Sequence, residues 1–182
     1  MKGWDKFGWD QSGGNGGSSG AVLKSIQTGT ISLAGKTSET ATINAVDVDN
    51  TFILFDGVKT EADGNVYNLI RVELTNSTTI TAYANTSHVA AHSVCFTVVE
   101  FSSGINNIQA GTITVSGISD TDTITAVDTS KAFVIYLGLT SAKADDTQAL
   151  YCLTLTNSTT VTAEGTQANG EAVVGYMVVE FE

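Results

Sequence analysis

His88 and His92, in the run SHVAAHS, are the chain's two histidines and stand four residues apart. On a helix that spacing would bring two imidazoles to one face and could hold a metal ion. A zinc protease would also need a glutamate directly after the first histidine. Here Val89 follows His88, the run leads towards a strand, and the second half of the chain has no histidine. The spacing therefore predicts a loop role. Asp47 and Asp49 could share a cation, but Ser130 stands where the second half should repeat Asp49. The dense carboxylate spacing of a calcium loop is also missing, so Asp47 and Asp128 read as turn or Asx caps. Glu61, Asp63, Asp145 and Asp146 are the carboxylates left for glycoside hydrolysis, a reaction set by geometry rather than by spacing. They fall in variable middle segments, where exposed charge is the ordinary reading. No G-x-S-x-G elbow and no phosphate-binding glycine loop occurs. The expectation is a protein that is not an enzyme, with no metal and no cofactor.

Arg71 is the chain's one arginine. A guanidinium on a sheet face can anchor a partner's carboxylate, or it can pair locally with Glu73 or a cross-strand acid. Its match in the second half is Cys152. Cys95 and Cys152 occupy unrelated positions, so they cannot form one disulfide per repeat. Free thiols suit assembly in a reducing cytoplasm, with one bridge between the repeats as the alternative.

These side chains must be positioned by a duplicated β framework. Gln27–Phe101 recurs as Gln109–Phe181, with an offset that drifts from 82 to 80. QTGTISL answers QAGTITV, TATINAVD answers TDTITAVD, LTNSTTITA answers LTNSTTVTA, and both copies close on VVEF. Two copies make a tandem of like domains, since a solenoid needs at least three stacked repeats. Each copy reads as six short strands rich in Thr, Val and Ile, residues that fit a pleated surface. In the first copy they run from 26 to 33, 40 to 46, 51 to 56, 67 to 75, 79 to 84 and 93 to 101. The second set follows at matching places, with 121 to 127 answering 40 to 46. Period-two alternation, with Ile31 and Leu33 opposite Thr30 and Ser32, gives each strand two distinct faces.

The fold class expected is all-β: two tandem antiparallel β-sandwich domains of about six strands each, after a flexible N-terminal peptide. The boundaries are 1–20 for anchor and tether, 21–104 for the first repeat and 105–182 for the second. Asn76-Ser77 and Asn157-Ser158 read as hairpin turns, because an Asn side chain can bond its own backbone. The runs at Phe52–Phe55 and Phe133–Leu137, and the closing strands, are apolar on both faces. Such strands point to packing between the repeats or between subunits. Arg71, Phe96, Phe101, Tyr176 and Phe181 are the interface candidates, and a homo-oligomer is expected.

Eight basic residues against 19 acidic ones give a net charge of -11. That balance argues against nucleic acid, whose phosphates attract clustered Lys and Arg. There is no signal-peptide pattern at the start and no apolar run of about 20 residues for a membrane span. Both tryptophans lie in the opening MKGWDKFGWD, followed by the Gly- and Ser-rich QSGGNGGSSG. Exposed tryptophan is an enriched anchor at interfaces, and a flexible tether sets its effective concentration. Trp4, Phe7 and Trp9 therefore read as a docking peptide.

With these phrases assembled, the chain resembles a group of small β-rich structural proteins of tailed bacteriophages. The resemblance rests on SIQTGTI at the start of the first copy, TIxAVD, LTNSTT and VVEF, and it covers Lys24 to Glu182. It implies a virion-surface component, assembled in the host cytoplasm: a capsid decoration, head-fibre or tail-associated protein. The implied partner is the major capsid or tail protein. Recognition of a host glycan or receptor, or an adhesin-like role on a bacterial surface, is the alternative. The family supplies no catalytic residues.

Overall fold

A computed structural model of the chain describes residues 20–59, 69–84, 92–141, 150–166 and 171–182. Trp4, Phe7, Trp9, His88 and the carboxylates Glu61, Asp63, Asp145 and Asp146 lie outside the described residues. The fold is all-β and built from several sheets. The first copy supplies β1 (Val22–Ser32), β2 (Ser38–Thr42), β3 (Thr51–Lys59), β4 (Ile70–Asn76), β5 (Thr79–Ala84) and β6 (Ser93–Ser103). The second supplies β7 (Ile105–Val115), β8 (Ser119–Thr123), β9 (Ala132–Ser141), β10 (Tyr151–Asn157), β11 (Thr160–Gly165) and β12 (Ala172–Phe181). Among the described residues no helix is long and apolar enough to cross a membrane.

Pairing in the first copy follows the orders β1-β6-β3 and β2-β5-β4. The second copy repeats both, as β7-β12-β9 and β8-β11-β10. One bridge, Arg71 to Gly138, splices β4 onto β9 and merges two of these units into a six-stranded sheet. Alternation decides the faces. Val94, Phe96 and Val98 of β6 point into the first core, as Val174, Tyr176 and Val178 of β12 point into the second. Ile31 and Leu33 are buried together, as the alternation expects.

The second strand is shorter than the 40-to-46 and 121-to-127 readings, ending at Thr42 and Thr123. The reason lies in the two best-repeated phrases, which form one device. Beyond Thr42 the chain leaves the ladder, and the Ile43 and Val46 N–H groups donate to the Thr78 and Ser77 carbonyls. Ile124 and Val127 make the same bonds to Thr159 and Ser158. The turn that presents those carbonyls is held by asparagine, as expected. Asn76 Oδ1 accepts from the Thr78 N–H at 2.9 Å, and Asn157 Oδ1 from the Thr159 N–H at 2.8 Å. Buried backbone donors need partners, and here one repeated loop supplies them to another.

Three further polar side chains repeat the same logic. The Gln27 amide clasps both backbone groups of Asn44, and Gln109 clasps those of Thr125. Asp47 accepts from the Asp49 N–H and the Asn50 amide, while Asp128 accepts from the Ser130 N–H and hydroxyl. Both aspartates are Asx caps. Glu100 and Glu180, only 2% and 5% exposed, reach across to the Asp47 and Asp128 N–H groups at 2.9 and 2.6 Å.

Candidate functional site at the seam between the repeats

The outer face of sheet β7-β12-β9 lies against the first copy. Ile135 and Leu137 of β9, with Met177 and Val179 of β12, belong to the first copy's apolar cluster rather than to their own. Ile105 and Ile108 of β7 pack on the same cluster, and Leu69 of the first copy packs against the second. Aromatic rings line the junction. Phe52 meets Phe133 edge-on with centroids 6.3 Å apart, Phe55 meets Tyr136 at 6.2 Å, and Phe101 meets Phe181 at 6.0 Å. Burial pushes the Tyr136 hydroxyl up to about 12. The strands without a polar face thus have one face in their own core and part of the other in this seam.

The five interface candidates divide between two environments. Phe101 and Phe181 stand in the seam, and Arg71 stands at its end. Phe96 and Tyr176 instead turn inward, 1% and 2% exposed. Each covers a glycine directly across the ladder, Gly29 for Phe96 and Gly111 for Tyr176. A Cβ on either glycine would come within 2.4 or 2.5 Å of the ring or its hydroxyl. The two aromatics differ in a matched way. The Tyr176 hydroxyl donates to Asp122 Oδ2 at 2.7 Å, whereas beside Phe96 the place of Asp122 is taken by Ala41. Burial, and then the bond to Asp122 and its charge, raise the Tyr176 hydroxyl above its ordinary value. Beside Phe96 an open groove of about 380 Å³ runs between β1 and β2, lined by Gln27, Ala41 and Asn44 among others. Phe96 is too buried to serve there as a stacking platform.

Arg71 borders a cavity of about 260 Å³ at the seam, with Glu73, Gly111, Leu137, Tyr176 and Met177. Its Nη1 donates to Glu73 Oε2 at 2.9 Å, and its guanidinium carbon lies 4.0 Å from the centre of the Tyr83 ring. The Arg71 side chain is 15% exposed and that of Glu73 is 41%. Stacking and pairing leave this cation neutralised and fixed. Gly175 lies beneath it: a Cβ there would be in ordinary contact with Arg71 at 3.8 Å and tight only against Leu137, at 3.3 Å. The local pair with Glu73, one of the two readings of Arg71, is present in the structure.

Sequence reasoning missed Glu100, Glu180, Gln27 and Gln109, although each recurs at a fixed place in its copy. His92 is 4% exposed, and its carbonyl accepts from the Leu33 N–H at 2.7 Å. Cys95 is a half-buried free thiol and Cys152 an exposed one. Among the described residues no group of three or more His, Cys, Asp or Glu is placed to hold a metal ion. Comparison with family models, curated proteins and solved structures returns no match.

Proposed function

We propose that the chain is a non-enzymatic structural protein of a virion exterior, the type its repeated phrases resemble. In this reading each repeat is a six-stranded β-sandwich unit. The two units project outward while Trp4, Phe7 and Trp9 hold the chain to a capsid or tail protein. The observation that carries the reading is the use made of the recurring polar side chains. Gln27 and Gln109, Asp47 and Asp128, Glu100 and Glu180, and Asn76 and Asn157 all bond to backbone within their own copy. Selection for chemistry would keep such groups aimed at a cleft; here both copies keep them for shape. The function then belongs to surfaces and to the aromatic leader.

The test is incorporation into assembled particles of a variant carrying Trp4→Ala and Trp9→Ala. Loss of two aromatic anchors should cut occupancy by about tenfold or more. The melting temperature of the purified chain should stay unchanged. Unaltered occupancy would remove the leader from the account.

A further inference from the structure

We infer that the chain associates with a second copy of itself head to tail, by repeating between chains the seam that joins its own repeats. Four observations carry this. First, the seam is heterologous. β4 bridges β9 through Arg71 and Gly138, but among the described pairings Cys152 and Gly57, the matching residues, do not bridge. A Cβ on Gly138 would strike the Ile70 carbonyl at 2.1 Å, whereas one on Gly57 would meet nothing within 4 Å. A face of the second repeat covers an edge of the first. The same edge of the second repeat stays open, and so does the part of the first repeat's matching face that carries Leu23, Ile26 and Asp56.

Second, the exposed apolar side chains mark those two open halves. Ile105 and Ile108 are partly buried in the seam; their matches Leu23 and Ile26 are 51% and 57% exposed. Leu69 packs against the second core, while its match Leu150 is 72% exposed. Exposed side chains of this size, gathered at positions whose twins are already covered, mark an interaction surface.

Third, the two open halves have changed together. Within the chain Arg71 lies over Gly175; at the matching places stand Cys152 and Cys95, so a smaller side chain faces a larger one. Leu137 and Met177, covered by the first repeat, become Asp56 and Thr97, which bond to each other at 2.7 Å. On the edge that would meet them, Glu73 becomes Thr154. A polar face is matched to a polar edge, and the volume lost on one side is regained on the other.

Fourth, matching residues meet at the same level. Phe52 faces Phe133 and Phe55 faces Tyr136 along β3 and β9, with Phe101 against Phe181 beside them. Matched residues meet across a seam where they stand beside a common rotation axis, and in the inferred assembly the repeated contact closes there as a two-chain ring rather than running on as a filament.

The experiment uses the purified full-length chain with no particle present, so its outcome is separate from that of the leader test. Sedimentation velocity is run on the intact chain, on Ile26→Asp (open face), on Leu150→Asp (open edge), and on an equal mixture of the two variants. The intact chain should sediment as an oligomer. Each variant alone should fall to monomer, its apparent dissociation constant raised by about tenfold or more, with an unchanged melting temperature. The mixture should recover a two-chain species, because the good edge of one variant meets the good face of the other. A monomeric intact chain, variants that stay associated, or a mixture no more associated than its components would each overturn the inference.

Discussion

Gly138→Ala should lower the melting temperature of the chain by about 6–12 °C, and Gly57→Ala by about 2–8 °C, less than Gly138→Ala in the same assay. The two glycines hold matching places in β9 and β3, with φ of +87° and +111°. Giving either one a side chain costs about 1–2 kcal/mol of left-handed strain. Only at Gly138 does the new Cβ also run into backbone, 2.1 Å from the Ile70 carbonyl and 2.9 Å from the Arg71 Cα. Those atoms cannot move without parting β4 from β9, so the total reaches about 3 kcal/mol, within the range for a strained, overpacked site. Thermal unfolding followed by circular dichroism reads both variants. Equal losses would mean that the second repeat does not sit on the first as described.

Glu100→Ala should cost about 2–3 kcal/mol near neutral pH, the scale for a buried charged acceptor whose donors are left unpaired. Lys24 Nζ at 2.7 Å, the Ser25 hydroxyl at 2.9 Å and the Asp47 N–H at 2.9 Å all converge on this carboxylate. Burial pushes its pKa up, but the bonds from Lys24, Asp47 and Ser25 outweigh it and hold the carboxyl below its ordinary value of 4.5. A depressed folded value means the stabilisation is fully present above the unfolded value and is lost as the pH falls through the folded one. The gap in urea midpoint between the intact chain and Glu100→Gln should therefore be wide near pH 7 and shrink below about pH 4. A gap that widened on acidification would reverse the assignment.

Much of this framework was legible in the residues. Alternation at Ile31 and Leu33, the β-branched runs and the asparagine turns all act over a few positions, which is the range that periodicity reads. The seam was legible only in part. A strand apolar on both faces, such as Phe52–Phe55, declares that something covers it without saying what. The missing signal lay in comparing the copies position by position. Asp56 against Leu137 and Thr97 against Met177 show which copy has its outer face covered. Arg71 against Cys152 was noticed, but its meaning depends on Gly175, about a hundred residues away in the chain and adjacent only in the fold. Phe96 and Tyr176 could not be assigned to the core from alternation alone, because the opposite faces of their strands also carry apolar residues, Val99 and Phe101 in β6 and Met177 and Val179 in β12. The buried glutamates were hidden for a different reason. A carboxylate in the VVEF phrase looks exposed until the Asp47 and Asp128 loops are seen to close over it.

The most direct measurement of the central claim, that the two repeats lie face upon edge through one aromatic seam, is a proton NOESY spectrum with assigned phenylalanine rings. Phe52 and Phe101, 5.8 Å apart within the first repeat, supply the internal reference. Cross-peaks of comparable strength are expected between Phe52 and Phe133 and between Phe101 and Phe181, at 6.3 and 6.0 Å between centroids. The reference peak present with both cross-repeat peaks absent would show two repeats that fold without meeting, and would contradict the account.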